Sequence, residues 1–108
     1  IVVGTNHGDM ARAANRLSEI GGGVVMISQG EELALVEMPI AGLMSDERAE
    51  IVAAKADILT AAMREMGCTL NNAYMQHSLL GLVVIPELRI SDIGLIDVRT
   101  FEKVDLFV

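Results

Sequence analysis

Few side chains in this sequence have the types to do chemistry, and their spacing limits what they can do. Cys68 and His77 are a thiol and an imidazole, the types that a nucleophile and its base require. Cys68, however, follows a predicted helix end, and the negative end of a helix dipole disfavours a thiolate. It reads as a partly buried structural cysteine, which leaves His77 as a polar residue at a strand or loop edge. His7 and Asp9 flank Gly8 at a predicted helix start, where free backbone N–H groups can hold an anion. The segment GTNHGD has neither the GxGxxG spacing nor the Gly-Lys-Ser/Thr ending of a phosphate loop. It supports a capped helix with polar loop residues. Glu87 follows Val84-Ile85-Pro86, so its carboxylate is aimed by a rigid neighbour, but a single carboxylate has no mechanistic signature. Met63, Met66 and Met10 read as core packing.

The elements that position these groups follow from periodicity. Ile1–Gly4 is predicted as a short strand. Asn6 caps the next helix, with Asp9 three residues on in a capping-box-like arrangement. In that helix Met10, Ala13, Ala14, Leu17 and Ile20 make one apolar face, and Gly21 suits a left-handed C-cap. Val24–Ile27 and Leu33–Met38 flank a turn around Gly30 and predict a hairpin. Pro39–Glu47, PIAGLMSDE, then runs through a glycine into a helix start. Gly42 is expected to need a positive φ or a close backbone approach. Ser45 offers an N-cap, and Asp46 and Glu47 favour the first turn electrostatically. A second helix is predicted from Asp46 to Met66, with Val52, Ala56, Leu59, Met63 and Met66 on one stripe and Ile51, Ile58 and Ala62 widening it. Leu79–Ile85 is predicted as a buried strand stopped by Pro86. Leu88–Ile90 is a short strand before a Ser91–Gly94 turn, and Leu95–Val98 pairs with Val104–Val108. The order β-α-β-β-α-β-β-β predicts an α+β fold, with two main helices packed on a mixed or mainly antiparallel sheet.

With 108 residues and a net charge of −7, the chain is one domain or part of one. It has no Lys/Arg cluster, which argues against a nucleic-acid partner or an anionic membrane surface. Hydrophobic residues make up 52% but aromatics only 3%, so the core is aliphatic. A single cysteine excludes an internal disulfide and fits a reducing cytoplasm. No apolar run reaches membrane-span length, and no signal peptide is visible. The start on a strand without an initiator methionine reads as a piece excised from a longer protein. Such a piece is expected to expose apolar surface at Ile1–Val3, Ile40–Met44 and Leu106–Val108, and therefore to self-associate.

PIAGLMSDE, GLVVIPEL (Gly81–Leu88) and GLIDV (Gly94–Val98) occur in order with VVGTN (Val2–Asn6), EIGGG (Glu19–Gly23) and MGCTL (Met66–Leu70). Together they make nearly the whole chain resemble the C-terminal domain of bacterial and archaeal adenine deaminases. The resemblance implies a cytoplasmic purine-salvage hydrolase of the amidohydrolase superfamily, which converts adenine to hypoxanthine and ammonia with a metal-activated hydroxide. The metal would be manganese, iron or zinc. Such a site needs several clustered histidines and an acidic ligand. His7 and His77 are far apart and form neither HxH nor HExxH, so the resemblance puts the catalytic barrel upstream. Residues 1–108 are then a single C-terminal domain with no catalytic or metal-binding residues. The expected partners are that barrel and further copies of the chain, with adenine as substrate of the whole enzyme. Gly42, Met44, His77 and Glu87 are the expected contacts with other domains or with the cleft mouth. The alternative is a stand-alone small-ligand-binding regulatory module or a dimerisation module.

Overall fold

The computed structural model describes residues 1–107, which form two compact units: Val2–Leu70, and Ile1 together with the residues from Asn71 onward. In the first unit the side chain of Asn6 accepts N–H bonds from Gly8 (2.8 Å) and Asp9 (3.2 Å), satisfying donors that α1 (His7–Ile20) leaves open. Asp9 does not complete a capping box. Its carboxylate accepts instead from the N–H groups of Gln29 (3.0 Å) and Gly30 (2.9 Å), which pins a distant turn to the helix start. Gly21 ends α1 at φ 84°, donating to the Leu17 carbonyl.

That turn joins β1 (Gly23–Ser28) to β2 (Glu31–Glu37), an antiparallel hairpin in register from Gly23↔Glu37 to Ser28↔Glu31. Gln29 and Gly30 have φ of 53° and 80°, the two left-handed residues that match the twist of paired strands. α1 packs on β1, and α2 (Ala49–Glu65) packs on β2. Ala34 and Val36 of β2, with Leu59 and Ala62 of α2, are the buried side chains of this unit. Leu59, at 1% exposure, contributes roughly 2 kcal/mol by leaving water.

The second unit holds α3 (Ala73–Leu79) and an antiparallel meander of β3 (Leu88–Ser91), β4 (Gly94–Asp97) and β5 (Glu102–Val104). The Ser91 hydroxyl donates to the Gly94 carbonyl (2.9 Å) and accepts from the Ile93 N–H (3.2 Å), which closes the β3–β4 turn. Ile96 and Val98 are its buried core.

The α+β class holds, and so does the succession of helix, hairpin, long helix and terminal strands. Both sheets are antiparallel. Several details differ from the sequence reading. Residues 1–4 pair with no strand among the described residues. Residues 79–85 are not a strand: the N–H groups of Leu80, Gly81, Leu82 and Ile85 donate to carbonyls three residues back, so successive turns use the groups a ladder would need. The second helix starts at Ala49, not Asp46. The Ser45 hydroxyl accepts from the Glu47 N–H (3.3 Å) and closes a turn before the helix, which Arg48 starts without a side-chain cap. The last strand, Glu102–Val104, starts two residues earlier than the expected Val104–Val108 and overlaps it only at Val104, and Val108 is outside the described residues.

Gly42 has φ 73°, as a left-handed turn requires, and an added Cβ would meet nothing within 4 Å. The close backbone approach belongs to Gly22 (φ 122°), where a Cβ would fall 2.6 Å from the Gly42 Cα and 3.2 Å from the Met38 carbonyl. Gly42→Val should therefore cost only the backbone strain, about 1–3 kcal/mol. Gly22→Ala adds a backbone collision and should lower the urea midpoint of the chain more than Gly42→Ala does. Equal midpoints for the two alanine variants would show that the approach is not tight.

Candidate functional site

The loop of residues 38–48 joins β2 to α2 and is held at both ends by one ammonium group. Lys55 Nζ donates to Glu37 Oε2 at 2.6 Å and to Glu47 Oε2 at 2.5 Å. Glu37 is the last residue of β2, and Glu47 lies just before α2. The hydrogen bonds to Glu37 and then Glu47 raise the Lys55 pKa, and the bond from Lys55 holds the Glu37 carboxyl below its usual range. All three side chains are a quarter to a third exposed, so water screens part of the attraction.

The loop is also ordered from within. Ile40 and Met44 form an isolated antiparallel bridge, with Ile40 N–H on the Met44 carbonyl (3.1 Å) and Leu43 N–H on the Ile40 carbonyl (3.0 Å). Ala41 (φ 57°) and Gly42 turn the chain at its tip. Met38 N–H donates to the Gly22 carbonyl (2.9 Å), seating the base on the glycine turn after α1. The result presents apolar side chains outward: Leu43 is 78% and Met44 59% exposed. Gly42 and Met44 thus share one preformed loop.

His77 and Glu87 are placed separately, in the second unit. His77 lies on α3, where its Nε2 is buried with no partner among the described residues, and burial lowers its pKa. Glu87 precedes β3. Its carbonyl accepts from the Val98 N–H (2.8 Å), which fixes the backbone, while its carboxylate is 69% exposed and sits 3.6 Å from Arg99. Arg99 bonds Asp97 more closely, at 2.9 Å. No acid–base pair arises from His77 and Glu87.

Sequence reasoning missed Lys55 and Glu37 and gave Glu47 a place in the first turn of the second helix, which begins only at Ala49. A signal was present: Lys55 lies three residues after Val52 and four before Leu59, on the buried stripe of α2, and a cation there needs an acid within reach. An open groove beside α1 is lined by Arg12, Arg16, Ile27 and Glu32. Arg16 is already paired there with Glu32 (2.8 Å), which leaves little convergent charge for a ligand. Among the described residues no three His, Cys, Asp or Glu side chains are grouped to hold a metal, so the donor set does not fit a metal–hydroxide centre. Among the same residues no helix is long and apolar enough to cross a membrane.

The Lys55 bridge has a defined pH window. Glu37, with its depressed pKa, stabilises the fold above the ordinary glutamate value of 4.5, and that contribution is lost as pH falls through the lower folded value. Lys55, with its raised pKa, stabilises below 10.5 and loses that contribution as pH rises through the higher folded value. Urea midpoints should therefore fall at both extremes. Lys55→Met should remove the alkaline loss and reduce the acid one. Identical pH profiles for the two proteins would mean that the bridge does not hold the loop.

The family described as adenine deaminase C-terminal domain matches residues 1–102. Over its whole length the chain is 81% identical to an adenine deaminase of Mesorhizobium japonicum and 72% identical to adenine deaminase 3 of Rhizobium meliloti. It is 46% identical, again over its whole length, to an adenine deaminase of Clostridium botulinum. In each comparison the chain spans 18% of the relative's length. On both the family match and these identities, the chain belongs to the adenine deaminase C-terminal domain family.

Proposed function

We propose that this chain is the non-catalytic C-terminal domain of a longer enzyme that hydrolyses adenine to hypoxanthine and ammonia. The observation that carries the reading is the full-length identity to proteins named adenine deaminase, of which it spans 18%. In the reaction the oxygen of water replaces the amino group at C6 of adenine, and the amino group leaves as ammonia. Among the described residues no donor set is grouped to hold a divalent metal, and in this reading manganese, iron or zinc and its ligands belong to the rest of the polypeptide. The same holds for the catalytic barrel of the amidohydrolase type. The role of this domain is contact: Gly42 and Met44 through their loop, and His77 and Glu87 through the second unit, face other domains or border the cleft mouth. The enzyme serves purine salvage in the cytoplasm and is a homo-oligomer. Self-association is favoured by the apolar side chains left exposed on α2, Ile51 (45%) and Ile58 (56%).

The purified 108-residue chain should form no hypoxanthine from adenine, with or without added manganese, iron or zinc, whereas the full-length protein should turn adenine over. Metal-dependent turnover by the short chain, lost on His7→Ala or His77→Ala, would sink this reading. Size exclusion with light scattering should give a mass of at least two chains for the full-length protein. A monomer at all concentrations would remove the oligomer from it.

A further inference from the structure

We infer that the loop of residues 38–48 is a preformed knob whose tip, Ile40, Leu43 and Met44, inserts into an apolar recess in the polypeptide that precedes this region in the full-length protein. The inference deepens the reading of this chain as a C-terminal domain and rests on it for the existence of that polypeptide.

Three observations converge. The loop is rigid by construction: Lys55 joins both its ends, the Ile40–Met44 bridge closes its tip, and its base sits on Gly22. Such preorganisation lowers the entropy lost on docking. What the ordering holds outward is apolar, with Ile40, Leu43 and Met44 at 45%, 78% and 59% exposure, inside a chain of net charge −7. Area then selects the occupant. Three side chains cover far less than the ~800 Å² per partner of a stable interface between separate molecules. A covalently linked partner needs less area, because the linkage holds it at millimolar effective concentration. The relatives supply such a partner, since this chain accounts for 18% of their length.

Met44 is its own probe. The full-length protein is treated with hydrogen peroxide, natively and in urea, and oxidation of Met44 is followed by peptide mass spectrometry. Uncovered, Met44 would oxidise natively at close to its unfolded rate. Docked, it should oxidise about tenfold or more slowly, unchanged on dilution. A native rate equal to the urea rate overturns the inference. So does protection lost on dilution, which would reveal a second copy as the occupant. Leu43→Asp should expose Met44 to oxidation while Leu59, the buried centre of the unit, keeps its amide-exchange protection. Continued protection of Met44 in that variant also overturns the inference. Adenine turnover on the same samples separates the two readings. Protection without turnover sinks the enzymatic reading alone, and turnover without protection sinks the docking alone.

Discussion

The first unit depends on an ammonium group placed beside an apolar core. Lys55 shares a helix stripe with Leu59 and Ala62, which are almost fully buried. Its side chain stays about a quarter exposed, so water carries part of the ammonium's hydration and the carboxylates make up for what the packing removes. Glu37 and Glu47 do so from opposite ends of one loop. The two bonds of a single side chain thereby act as a geometric constraint on eleven consecutive residues, since they hold positions 37 and 47 together.

Steric constraint completes what charge begins. At Gly22 the backbone comes so close to Gly42 that no side chain fits between them. Gly23 is tighter still, since an added Cβ would collide with the Val36 carbonyl. The glycine turn after α1 is thus both the end of a helix and the floor under the loop. Charge fixes the two ends of the loop and backbone contact fixes its base, which leaves the tip to be apolar without collapsing onto the core.

What could be read from the residues alone was what short-range physics decides. Asn6 as a cap, Gly21 as a left-handed stop and the turn at Gly30 each depend on neighbours a few positions away. The Lys55 bridge joins residues 18 and 8 positions apart, and nothing local marks Glu37 or Glu47 as the partners. Residues 79–85 were misread for a related reason. Their aliphatic run suits a buried strand, but strand formation depends on a neighbour to pair with, and the chain closed its own turns instead. Ser45 shows the limit of motif reading: its hydroxyl does bond a nearby N–H, yet in a turn that ends before the helix begins. Of the site residues, Gly42 and Met44 fell in the constrained loop because glycine marked its turn. His77 and Glu87 carried no such mark, and the structure gives them no shared chemistry.

The packing of the first unit runs mainly between neighbours in sequence, α1 on β1, β1 on β2 and β2 on α2, with a smaller contact of α2 on β1. The bond from Asp9 to the hairpin turn closes the longest of its side-chain links, about twenty residues, and does so at the start of the first helix. Chains whose contacts are this local assemble early, because little loop-closure entropy has to be overcome before contacts begin to stabilise the product. Helix growth and hairpin closure take microseconds, whereas the docking of domains takes milliseconds or longer. On these timescales the unit Val2–Leu70 should reach its final shape before larger neighbours dock, and so meet them as a finished part.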